Sequence, residues 1–109
     1  MPYIFCMIFI ETTIFTKLLP KYLADDEYRA LQWYLLVYPD AGDLVRGSGG
    51  LRKVRWAPEG KGERGGVGVI YYWKKSAQEI WLLTLYAKSE KATIPGNIIK
   101  KIAKEIENE

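Results

Sequence analysis

Two segments that read as strands, Leu51 to Trp56 and Val67 to Trp73, enclose the glycine-rich stretch Ala57-Pro58-Glu59-Gly60-Lys61-Gly62-Glu63-Arg64-Gly65-Gly66. Strand-forming residues bounded by glycine on both sides fold most readily into a hairpin, and that constrains everything around it. Nine of the ten glycines lie between Gly42 and Gly68, so backbone freedom is concentrated at this hairpin. Charge is concentrated there too. From Arg46 to Lys75 the bases Arg46, Arg52, Lys53, Arg55, Lys61, Arg64, Lys74 and Lys75 face only Glu59 and Glu63, a net +6 where the whole chain carries +3. Rigid strands, bare backbone and fixed cations together suit a phosphate-bearing partner.

A chain of 109 residues builds one core, so residues 1–109 are expected to form a single domain. Its apolar and charged fractions, 49% and 27%, are those of an ordinary globule rather than a disordered or membrane protein. The apolar opening Met1 to Ile10 is stopped by Glu11. It is too short to span a bilayer and lacks the basic start and small-residue cleavage site of a secretory signal, which makes the cytoplasm the expected compartment, with no membrane partner. Cys6 is the single cysteine and is read as a small buried hydrophobe. With no histidine, a zinc or iron site would have to be built from carboxylates, and no metal or cofactor is expected.

Along the chain the periodicity changes several times. Tyr3 to Glu11 favours a buried strand; Thr12 or Thr13 can cap a short helix that buries Ile14, Phe15, Leu18 and Tyr22, and Pro20 is expected to kink or end it. Asp25, Asp26 and Glu27 open a second helix in which Tyr28, Leu31, Leu35 and Tyr38 recur at spacings of three and four, with Pro39 as its stop. A turn-rich segment, Pro39 to Gly50, leads into strands at Leu51 to Trp56, Val67 to Trp73 and Glu79 to Ala87. Pro95 can start a last helix with Ile98, Ile99, Ile102 and Ile106 on one stripe. The expected class is therefore α+β in the order β-α-α-β-β-β-α: a small antiparallel sheet of about four strands, an N-terminal helical hairpin and a C-terminal helix.

Two nucleotide motifs are matched by accident. Gly60-Lys61-Gly62-Glu63-Arg64-Gly65 fits G-x-G-x-x-G, but a strand pattern follows where a dinucleotide site needs a helix N-terminus. With Val67 it also fits the kinase glycine loop, in a chain far too short for a kinase and without the histidine of the catalytic loop. The single glycine-lysine junction, Gly60-Lys61, continues into Gly62 rather than serine or threonine, so no Walker loop exists.

Phe9-Ile10-Glu11-Thr12-Thr13-Ile14-Phe15, Asp26-Glu27-Tyr28-Arg29, Gly49-Gly50-Leu51-Arg52-Lys53-Val54-Arg55, Gly60-Lys61-Gly62, Arg64-Gly65-Gly66, Ile70-Tyr71-Tyr72, Leu82-Leu83-Thr84-Leu85-Tyr86 and Lys88-Ser89-Glu90-Lys91 resemble, as an ordered series, the RelE superfamily and its HigB-like toxins. The resemblance runs from Met7 to about Ile102, which makes residues 1–6 an extension or an overcalled start. It implies the toxin of a type II toxin-antitoxin system: a ribosome-dependent endoribonuclease that cuts messenger RNA in the decoding site. It also implies an adjacently encoded helix-turn-helix antitoxin, through which alone operator DNA is bound.

Cutting RNA by attack of the 2′-hydroxyl on its neighbouring phosphate requires a base, an acid and stabilisation of added negative charge. Without histidine, lysines and arginines can supply the electrostatic part, and a lysine can move protons where neighbouring positive charge lowers its pKa. Strand alternation puts Lys53 and Arg55 on one face and Arg52 with Val54 on the other. The resemblance assigns the first face to RNA. Lys53, Arg55 and Arg64 are the leading catalytic candidates, followed by Lys88 and then Tyr86, which divides evenly between site and core; Arg52, Lys61, Trp56 and Lys91 are candidates for binding RNA. Tyr72, Trp73 and Trp81 are assigned to the core.

Relatives typically carry an arginine just before the Val69-Ile70-Tyr71-Tyr72 strand, where this chain has Gly68, and a base where it has Glu63. Two alternatives follow: a weakened or inactive member that acts by binding antitoxin and regulating its operon, and a general RNA-binding module. If the missing donor is the defect, Gly68→Arg is expected to raise cleavage by roughly 10²-fold.

Overall fold

The computed structural model describes residues 7–57 and 66–87. They form strand β1 (Ile8–Glu11), helix α1 (Thr13–Tyr22), helix α2 (Asp25–Val37), strands β2 (Asp43–Leu44), β3 (Leu51–Trp56) and β4 (Val67–Lys74), a 3-10 turn (Lys75–Ala77) and strand β5 (Glu79–Ala87). The class is α+β, with one five-stranded sheet in the order β1-β5-β4-β3-β2. Phe15, Leu31 and Leu35 from the helices pack with Val54, Val69, Tyr71, Ile80, Leu82 and Leu85 on one face of the sheet. Cys6, the loop residues Lys61, Glu63 and Arg64, and the segment from Lys88 through the expected C-terminal helix lie outside the described residues.

The sheet is mixed, not antiparallel throughout. β2, β3, β4 and β5 alternate in direction, but β1 runs parallel to β5, from Ile8↔Glu79 to Glu11↔Leu82. Alternation of apolar residues reports which face a side chain takes, not which strand lies beside it or in what direction, so the parallel pair is invisible in the pattern. The two-residue β2, inside the segment read as turns, is likewise too short to carry a period.

Both helices begin as their sequences direct. Thr12 caps α1 by accepting from the Phe15 N–H at 3.1 Å. The Glu27 carboxylate accepts from the Ala24 N–H at 2.7 Å, and three acids in the first turn of α2 face its positive dipole end. Two expectations for α1 fail. Pro20 does not end the helix, which continues to Tyr22, because only the bond to the carbonyl of exposed Thr16 is forgone and water can serve it. Ile14 is 56% exposed, since the stripe that packs inward is Phe15, Leu18, Leu19 and Tyr22, one residue further round the helix. Tyr38, read as the end of the α2 stripe, is the cap residue and is also mostly exposed.

β5 contains an irregularity that joins three elements. Tyr71 pairs with Leu82 and Ile70 with Thr84, which leaves Leu83 as an extra residue in β5. The Thr12 hydroxyl donates to the Leu83 carbonyl at 2.8 Å while the Thr12 N–H donates to Leu82 at 3.1 Å. One threonine therefore ends β1, starts α1 and serves the carbonyl of the bulge. Thr12→Val keeps the side-chain shape and removes both hydroxyl bonds. It is expected to lower unfolding free energy by about 1–2 kcal/mol in denaturant titration, with Thr12→Ser close to wild type.

β1 is also held to both helices by Glu11, which accepts from the Tyr28 hydroxyl and the Thr16 hydroxyl, each at 2.7 Å. Burial first, then the hydrogen bond and charge of Glu11, push the Tyr28 phenol above its ordinary value of 10.0. Burial raises Tyr71 as well. A phenol whose folded pKa is raised gives stability that is complete below the unfolded value and drains away as pH climbs past it, because only the unfolded chain then releases the proton. Stability is therefore expected to fall above about pH 10, and Tyr28→Phe is expected to flatten that fall when unfolding is measured from pH 8 to 11.

Candidate nucleic-acid interface

The helices cover one face of the sheet, and the other face, called the far face here, carries the basic residues of interest. Leu51, Lys53 and Arg55 of β3, Gly68, Ile70 and Tyr72 of β4, and Trp81, Leu83 and Tyr86 of β5 belong to it. Leu51, Ile70 and Leu83 form its buried apolar floor, with Tyr72, Trp81 and Tyr86 half-buried around them. Tyr72 and Trp81 are cross-strand partners, which agrees with their reading as packing residues.

β3 is set in place from both ends of its leading turn. Gly47, Gly49 and Gly50 have φ of 71°, 79° and 117°, conformations that favour glycine, and buried Ser48 donates to the Val45 carbonyl at 2.6 Å and accepts from the Leu51 N–H at 3.0 Å. On the helix side, the buried Tyr71 hydroxyl donates to Pro39 at 2.8 Å and accepts from the Gly42 N–H at 2.9 Å. The Arg52 guanidinium donates to the carbonyls of Gly42 at 2.7 Å and Asp40 at 3.2 Å. The 39–42 turn is thus tied to the sheet by Tyr71 and Arg52 together.

The sequence-predicted residues divide accordingly. Lys53, half-buried, and Arg55, exposed, share the far face, as alternation requires. Tyr86 joins them: the Lys53 Nζ lies 5.7 Å from the centroid of its ring. Arg52 is on the helix-covered face, occupied by the turn. Trp56 is on that face too, packed against the core with its ring 5.4 Å from that of Tyr34. The structure therefore brings Lys53, Arg55 and Tyr86 together and separates them from Arg52 and Trp56. Lys61, Arg64, Lys88 and Lys91 lie outside the described residues.

Gly68 stands in register between Arg55 and Tyr86. A Cβ built on it would overlap Cζ of Tyr86 and lie 2.6 Å from its Oη and 2.8 Å from Cε2. The ring occupies the space that a side chain at 68 would fill. Gly68→Arg would therefore move the Tyr86 ring as well as add a cation to this face.

Sequence reasoning missed this pairing for a definable reason. In the register of Tyr72↔Trp81, Gly68 would face Leu85, and Tyr86 would point to the helix-covered core. The extra residue at Leu83 shifts Tyr86 onto the far face. The only prior signal was the failed alternation of Trp81-Leu82-Leu83-Thr84-Leu85-Tyr86, which has two adjacent leucines where a polar residue would keep the period.

Chemically, the far face offers two cations two residues apart on a strand, hence roughly 7 Å along it, beside an aromatic ring. It can hold a phosphodiester and stabilise added charge on it. Among the described residues no three histidine, cysteine or carboxylate side chains converge as metal ligands, and no helix is long and apolar enough to cross a membrane. No protein-family model matches the chain.

The division of the arginines is testable by stability alone. Arg52→Ala is expected to cost about 1–2 kcal/mol in unfolding free energy, because the carbonyls of Asp40 and Gly42 lose a charged donor. Arg55→Ala is expected to stay within about 0.5 kcal/mol of wild type. Equal losses at both positions would show that the assignment of Arg52 to the turn is wrong.

Proposed function

We propose that this chain is a RelE-like toxin of the HigB type, a ribosome-dependent endoribonuclease that cuts messenger RNA and is neutralised by a helix-turn-helix antitoxin. The observation that carries the reading is the clustering of Lys53, Arg55 and Tyr86 on one face of the antiparallel strands β3, β4 and β5. Two helices followed by an antiparallel run of strands also agree with the architecture that the resemblance implies.

In the proposed reaction the 2′-oxygen bonds to the adjacent phosphorus as the bond to the 5′-oxygen breaks. The 2′-hydroxyl gives up its proton and the departing oxygen gains one, leaving a cyclic phosphate and a 5′-hydroxyl. Lys53 and Arg55 stabilise the extra negative charge on the phosphorane-like transition state, and a preorganised donor of this kind contributes about 3 kcal/mol. By the resemblance, Arg64 and Lys88 are further catalytic candidates in this reading, and Lys61 and Lys91 candidates for binding RNA. No metal is required by this scheme.

A second reading has its own support. Trp33 and Val37, each about 60% exposed, with Tyr34 and Tyr38 beside them, give α2 an outward apolar stripe of the kind that protein partners cover. Together with Gly68 in place of the arginine of relatives, it favours a catalytically weakened member that acts through its antitoxin. A general RNA-binding module would need neither the ribosome nor a neighbour gene.

Induced expression separates these readings. The toxin reading expects growth arrest, relief by the adjacent gene product, and new messenger RNA ends that depend on translation. Lys53→Ala or Arg55→Ala is expected to reduce cleavage by about 10²–10³-fold with an unchanged fold. Arrest-free expression with no new ends, but stable co-purification of an antitoxin, would transfer the assignment to the non-enzymatic reading. RNA binding without ribosome, arrest or antitoxin would support the third.

A further inference from the structure

We infer that Tyr86 is a positioning residue for Lys53, and that position 68 is glycine so that the Tyr86 ring can cross β4 to reach it; this rests on the reading of the far face as an RNA site. Tyr86 is on β5 and Lys53 on β3, with β4 between them. For the ring to lie 5.7 Å from the Lys53 Nζ, it must pass over β4, and it does so at its own cross-strand partner, Gly68. Any Cβ there would meet the ring at 2.6 Å and 2.8 Å from Oη and Cε2, separations that oblige the ring to move aside. Neighbouring positions on the same face, such as Ile70, carry side chains of their own, so the passage exists only at this row.

The chemistry follows from what a lysine is. Its ammonium is a point charge on a flexible four-carbon stem, and an aromatic face within about 6 Å attracts it without neutralising it. A cation already held over the sheet loses less freedom when a phosphate arrives. Gly68 forgoes a charged side chain of its own at this row, and in exchange the tyrosine orients the lysine of the next strand. Arg55, in register with Gly68, remains exposed beside them.

The test uses the intact chain labelled with 13C at the lysine ε-carbons, and a single-stranded RNA oligonucleotide as probe. Wild type and Tyr86→Phe are expected to show a ring-current-shifted Lys53 signal, assigned by its loss in Lys53→Arg. Tyr86→Leu and Gly68→Ala are expected to lose the shift and to bind the oligonucleotide about three- to fivefold more weakly, the size of one exposed cation-π contact. Tyr86→Phe is expected to bind within about twofold of wild type, and the double variant no worse than either single, because each change removes the same contact. A shift that is absent from wild type, or that survives Tyr86→Leu, would overturn the proposed geometry while leaving the RNA reading intact. A shift lost with unchanged RNA affinity would overturn the positioning role. Oligonucleotide binding that does not depend on Lys53 at all, judged with Lys53→Ala, would remove the RNA reading itself, and the positioning role with it. Should Gly68→Ala not fold, Tyr86→Leu against Tyr86→Phe carries the same comparison.

Discussion

The hydroxyl of Thr12 on the Leu83 carbonyl is the contact on which most of the arrangement turns. A bulge takes one carbonyl out of the regular ladder, and a buried acceptor left alone costs about 1–3 kcal/mol. Thr12 supplies the donor and, with the same oxygen, receives the Phe15 N–H, one of the free donors in the first turn of α1. The position of the helix over the sheet and the register of β5 are therefore set by one residue. Without the bulge, the face of every β5 residue after Leu83 would invert, and Tyr86 would be a core residue rather than a neighbour of Lys53.

Alternation then does the sorting within β3. Arg52 and Lys53 are adjacent in sequence and carry the same charge, yet one is directed to the 39–42 turn and the other to the far face. Each position suits the chemistry of its residue. A guanidinium presents several donors in a fixed fork and can serve two carbonyls at once, whereas a lysine ammonium is better used as a single charge whose position a ring can set. The basic excess of this region is thus not a single patch. Part of it is spent on holding the turn that precedes the strand, and counting charges along the chain overstates what faces a ligand.

Much of the fold was legible because its elements carry clear periods. β3 and β5 occupy the predicted spans and β4 extends one residue further, while α2 begins at its run of acids and ends before Pro39. What was not legible depends on contacts between distant segments. The parallel β1–β5 pair leaves no local trace, Pro20 is tolerated because it loses one bond near a helix end, and Ile14 is exposed by a rotation of about 100° from Phe15. For the candidate site, alternation placed Lys53 and Arg55 on one face of β3, and the resemblance assigned that face to RNA. The face of Tyr86 was not readable, since it depends on a one-residue bulge, and the packing of Gly68 against its ring could not be read without knowing where Tyr86 lies.

The two faces bear on how a partner could act. The exposed stripe of α2 lies on the helix layer, whereas Lys53, Arg55 and Tyr86 lie on the opposite side of the sheet. A protein seated on Trp33 and Val37 would therefore leave the cationic row uncovered. If such a partner silences the proposed ribonuclease, it must do so by preventing access to the ribosome rather than by filling the site, and the complex would still bind free RNA through Lys53. A partner that instead abolishes free-RNA binding must reach the far face, and the α2 stripe would then need another occupant. Competition between a partner and a short RNA oligonucleotide thus distinguishes two modes of neutralisation that growth rescue alone cannot separate.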